Sequence, residues 1–118
     1  MKLSLYSLFI CVFINAAGCS KYPEGRIVVR NDSNNIISNA NILVCGQTLI
    51  FNHIAPHSKQ SGTFKVTSDS SYDIKVVLSN GQVLQSKLGY VTNGIKYDDV
   101  IFIRDDHISI KSAPTLSY

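Results

Sequence analysis

Three histidines, three cysteines and two adjacent carboxylate pairs are the residues of this chain whose types and spacing could do chemistry. His53 and His57 stand four apart, the spacing that sets two metal ligands on one face of a helix. Pro56 lies between them and their surroundings alternate as strand and loop, so the spacing loses that meaning. Asp105-Asp106-His107 is a compact polar trio that could hold a cation through a turn, but a solvated hairpin turn uses the same residues. Asp98-Asp99 looks like a pair of catalytic carboxylates until strand geometry is applied, because neighbours in a strand point to opposite faces. The sequence holds no GxSxG, HExxH, phosphate loop or Cys-x-x-Cys. Serine, histidine and aspartate without order or spacing carry no information about a triad. The expectation is a non-catalytic chain with no cofactor and no metal.

The cysteines fall into separate chemical settings. Cys11 sits within the apolar stretch Leu3 to Ile14, Cys19 follows Ala16-Ala17-Gly18, and Cys45 ends the run Ile42-Leu43-Val44. Lys2, the apolar stretch and the small residues together follow the three-part plan of a secretory signal. A helix that spans a bilayer needs about 20 apolar residues, so this shorter stretch is expected to be removed rather than to span. Cys45, alone in what remains, is expected to behave as a small buried hydrophobe.

Ala16-Ala17-Gly18 followed by Cys19 resembles the lipobox of bacterial lipoproteins, with Ala16 standing where leucine is commonest. The resemblance covers the first 19 residues. It implies cleavage between Gly18 and Cys19, a diacylglycerol on the Cys19 thiol and an acyl chain on its new amino group. Ordinary secretory cleavage with a free Cys19 is the competing reading. Ser20, which is not Asp, resembles the signal for outer-membrane delivery. Each buried acyl CH₂ contributes about 0.8 kcal/mol, so several chains would give essentially permanent attachment to the periplasmic face of that membrane.

The implied organisation is a signal peptide at 1–18, a lipid anchor and tether at 19–25, a domain at 26–111 and a frayed tail at 112–118. The tether Ser20 to Gly25, polar and broken by Pro23 and Gly25, reaches at most about 20 Å. The domain and its partner should therefore lie close to the anchoring membrane. The chain carries 11 Lys and Arg against 8 Asp and Glu, and the basic residues are dispersed along it. Nucleic acid binding, which needs clustered cations, is not expected.

From Arg26 onward apolar residues alternate or run briefly, β-branched residues are frequent and turn residues recur at short intervals. The pattern predicts an all-β domain, a two-layer antiparallel sandwich of about seven or eight short strands. Predicted strands cover 26–30, 41–45, 48–54, 63–67, 72–78, 83–88, 100–104 and 108–110, with a loop from Ala55 to Gly62. Asn80-Gly81 between two alternating segments predicts a hairpin with a type I′ turn. Asn31-Asp32-Ser33 fits a glycosylation acceptor, with a turn as its simpler role. Strand number and spacing resemble immunoglobulin-like and transthyretin-like sandwiches, without the tryptophan and cysteine pair of antibody domains.

Such a domain suits a protein-interaction module that engages another envelope protein through a strand edge or loops. Two forms fit the address: an immunity or inhibitor lipoprotein, and a secretion-assembly lipoprotein. The alternative is a small-ligand-binding lipoprotein in which Phe51, Tyr72, Tyr90 and Tyr97 line an apolar site.

Overall fold

A computed structural model describes residues 22–112 and the strand Pro114–Thr115. The expected signal peptide, cleavage point and Cys19 lie outside the described residues. Nine strands follow in chain order: β1 (Glu24–Asn31), β2 (Ile37–Val44), β3 (Gln47–Ile54), β4 (Lys59–Lys65), β5 (Ser70–Leu78), β6 (Val83–Val91), β7 (Lys96–Ile103), β8 (Ile108–Lys111) and β9 (Pro114–Thr115). They form two sheets, ordered β4-β1-β7-β8 and β3-β2-β5-β6, with β9 beside the start of β7. The all-β sandwich is as expected from the alternation. All pairings are antiparallel except that of β1 with β7, which run parallel with Arg26 beside Asp98 and Asn31 beside Ile103. The first strand pairs with the fourth and seventh, which departs from the immunoglobulin order, where the first lies beside the second.

Alternation builds the core directly. Ile27 and Val29 of β1, Ile74 and Val76 of β5, and Ile101 and Ile103 of β7 are fully buried between the sheets. Burial of each such side chain is worth about 1.5–3 kcal/mol relative to exposure. A polar contact crosses the core: the Tyr72 hydroxyl of β5 donates to Asp99 Oδ2 of β7 at 2.5 Å. Burial first, and then the neighbouring Asp99 carboxyl, push the Tyr72 phenol far above its ordinary pKa.

β1 begins two residues before the predicted strand because Gly25 belongs to it: a Cβ there would stand 2.3 Å from Phe64 Cζ, so only glycine lets the ring close over the backbone. β4 likewise starts at Lys59, inside the predicted loop. Its Gly62 pairs with Ile27, and the Phe51 ring fills the space where a side chain would sit. Within the expected tail, Pro114–Thr115 pairs with Lys96 and Tyr97.

Two turns exchange the expected chemistry. The β5–β6 hairpin forms, but Asn80 does not adopt positive φ, whereas Gly81 does at +88°. Gly81 N donates to Leu78 O and Leu78 N to Gln82 O, the three-residue turn with a glycine bulge in place of type I′. Asn80 instead accepts from Gln82 N through its side chain at 2.9 Å. The turn with two positive φ angles is Cys45-Gly46, at +49° and +69°, joining Val44 to Gln47. Cys45 is therefore a half-buried turn residue and not a strand hydrophobe. Its N–H donates to Ser70 Oγ and its thiol to Ser68 O.

Candidate functional site

The residues singled out for chemistry do not converge. His53 and His57 are exposed, and both take positive φ, which no helix contains. The polar trio divides. Asp105 accepts from Asn34 N and Nδ2 at 3.0 Å, locking the β1–β2 loop to the β7–β8 turn. Asp106 faces His107 Nδ1 at 2.6 Å, a contact that holds its carboxyl below the ordinary value. No group of three or more metal-ligating side chains occurs among the described residues. Asp98 is exposed while Asp99 is buried, as strand geometry requires. Asn31 is fully buried, donating to Asn35 O and Ile54 O and accepting from Ser33, so the apparent glycosylation acceptor is a structural corner. Phe51, Tyr72 and Tyr97 pack in the closed core, and exposed Tyr90 stands apart from them.

The strongest surface feature lies on the outer side of the β4-β1-β7-β8 sheet. Outward positions carry Arg26 and Arg30 on β1, Lys59 and Lys65 on β4, Lys96 on β7, Arg104 just beyond it and Lys111 on β8. Seven of the nine lysines and arginines among residues 22–112 thus share one face, against three carboxylates there, Glu24, Asp32 and Asp98. The cations are dispersed in sequence but not in space.

This face has relief. A depression of about 490 Å³ is lined by Val28, Val100 and Phe102 on its floor and by Arg30, His57, Lys59 and Lys111 around it. A smaller one of about 220 Å³ adjoins it at Val28 and Lys59. The floor is half-buried because long basic side chains lean over it. The guanidinium carbons of Arg30 and Arg104 lie 5.7 and 5.8 Å from the Phe102 ring centroid, a double cation–π contact. Asp32 accepts from Arg30 Nε at 2.9 Å and lies 3.9 Å from Arg104, which fixes both over the ring. Lys59 and Lys111 have no ion-pair partner among the described residues.

His57 reaches the rim through a strained turn. Ser58 N donates to Ala55 O at 3.1 Å, Pro56 takes the second position, and His57 holds φ of +62° where a type II turn favours glycine. The flanking strand edge is capped at one end: Gln47 Oε1 accepts from Lys65 N and its Nε2 donates to Lys65 O, so a side-chain amide takes the place of a neighbouring strand at the last residue of β4. Sequence reasoning missed this face. The only available signal was the two-residue step Arg26-Val28-Arg30, whose significance depends on which strands lie alongside.

No family model matches the chain, and no curated protein does. Solved structures do. A protein from Eubacterium rectale superposes with a TM-score of 0.60 at 12% identity, over 79% of this chain and 94% of its own. A candidate cell adhesion protein from Bacteroides uniformis gives 0.51 at 10% identity, over 78% of this chain. The match spans 49% of that second, longer chain. At these identities the similarity is one of fold, a β-sandwich shared with proteins of two bacteria.

Proposed function

We propose that the chain is a lipid-anchored envelope protein whose domain is a non-catalytic interaction module, of immunity or secretion-assembly type, working through the outer face of the β4-β1-β7-β8 sheet. The observation that supports this is the gathering of seven cations around a recessed apolar floor on one face of a small sandwich. Stability does not require such a face, because side chains pointing outward contribute little to the core.

The test of the interaction reading is a photoreactive amino acid placed on either side of the molecule in living cells. In place of Val100 it should give a discrete protein adduct, and in place of Asn41, outside the other sheet, it should give none. Equal labelling from both positions, or none from Val100, would count against the reading. The anchor has its own test. Mass spectrometry of the mature N-terminus should find acylated Cys19, and Cys19→Ala behind a conventional signal peptide should release the protein from membranes. An unmodified Cys19 in the membrane-bound protein would overturn the anchor.

A further inference from the structure

Resting on that reading, we infer that the basic face binds an extended acidic segment of a partner protein, with carboxylates at positions i and i+4 and an apolar side chain at i+2, laid across the strands. The register provides the spacing. Lys59 stands opposite Arg30, Arg30 beside Phe102, Val28 beside Val100, and Val100 opposite Lys111. Lys59 and Lys111 are thus three strands apart and one two-residue step out of line, about 16 Å between Cα atoms from strand spacings of about 4.8 Å and steps of about 6.7 Å. In an extended peptide, residues i and i+4 are about 13 Å apart on the same side. A lysine stem covers the difference. The residue between them, i+2, then falls over Val28, Val100 and Phe102, the recessed floor.

Charge selects the class of occupant and shape narrows it. Seven cations against three carboxylates call for an acidic ligand. A lipid surface would be gripped by protruding apolar side chains, and the large exposed ones within strands, Leu43, Ile50, Val83 and Tyr90, belong to the other sheet. A polynucleotide would stack bases on open aromatic rings, whereas Phe102 is flanked by two guanidinium groups and carboxylates alternate with the cations. Addition of a strand to the neighbouring edge is opposed at its Lys65 end by the Gln47 amide. A recessed floor between basic walls suits single side chains of a polypeptide.

The experiment uses the full mature protein in detergent and fluorescence anisotropy of a labelled Glu-Ser-Leu-Ser-Glu peptide. Lys-Ser-Leu-Ser-Lys, Glu-Ser-Ser-Ser-Glu and phosphatidylglycerol vesicles serve as comparisons. The inference expects binding of the first peptide, weakening at 1 M salt where the Debye length falls to about 3 Å, and little binding of the other two. Lys59→Glu with Lys111→Glu should weaken it about tenfold or more, since two exposed ion pairs become repulsions. Lys75→Glu with Lys87→Glu, the same charge change on the opposite sheet, should leave it unaltered, with melting curves confirming that both variants fold. Absence of binding, equal loss in both variants, or vesicle binding that the peptide cannot compete would overturn the inference. If the peptide fails while Val100 still yields its protein adduct, the acidic-segment assignment falls and the interaction reading stands. If both fail, both fall.

Discussion

The two outer faces of the sandwich are made by the same rule and differ in what they display. On the β3-β2-β5-β6 side the outward positions hold Thr48, Ile50, Asn39, Asn41, Asn52 and Gln85, with Lys75, Lys87 and Asp73 as the charged residues. An amide pair, Asn39 Nδ2 to Asn52 Oδ1 at 2.8 Å, links two of its strands. On the β4-β1-β7-β8 side the same alternation displays basic side chains around Val28, Val100 and Phe102. Both faces rest on one core of similar composition, so stability accounts for neither display. The difference is where information about a partner can be carried.

Substitution at the shared core should break both faces together. Ile101→Ala, on β7 at a fully buried position, should cost about 2–5 kcal/mol, measured by denaturant unfolding, and hydrogen exchange should rise in both sheets. Loss confined to one sheet would mean that the two layers are less coupled than their packing implies.

Tyr72→Phe tests one polar link between the layers. Removing the hydroxyl that donates to buried Asp99 should cost about 1–3 kcal/mol. The Tyr72 phenol titrates in the folded chain above its ordinary value. The stability tied to its protonated form is therefore complete below about pH 10 and is lost as pH climbs from there. Wild-type protein should weaken in that alkaline window, and the phenylalanine variant should show a shallower decline. Identical alkaline slopes would contradict the assignment.

His57→Gly sharpens the comparison at the rim of the basic face. Relief of the left-handed strain, less the entropy that glycine adds to the unfolded chain, should raise stability by roughly 0.5–1 kcal/mol. Thermal melts would check the sign. A gain in stability with weaker peptide binding would mean that a strained residue is retained for the surface and not for the fold.

The smallest stability effects belong to the faces themselves. Lys59→Gln with Lys111→Gln, and Lys75→Gln with Lys87→Gln, should each change unfolding free energy by no more than about 0.5 kcal/mol. Only the first pair should alter binding. A large destabilisation from either would make its face part of the fold.

The sequence by itself determined which residues turn inward. Period-two alternation makes Ile74, Val76 and Leu78 a buried row whatever their neighbours, and it separates Asp98 from Asp99 onto opposite faces, because successive strand side chains must point apart. Turn positions were legible from Gly, Asn and Pro, but turn types were not. Asn80-Gly81 and Cys45-Gly46 exchanged roles because the length of each loop is set by the pairing of the strands it joins. Gly62 was misleading for a related reason: in sequence it ends a loop, and in the fold it makes room for Phe51. The basic face was decided by tertiary structure alone. Arg30, Lys59 and Lys111 are far apart in the chain, and strand order brings them to one face, with β1 placed between β4 and β7 and β8 beyond. Local propensity acts over a few residues, whereas strand order is fixed by how two sheets close over a common core, and that is where this protein's recognisable surface is made.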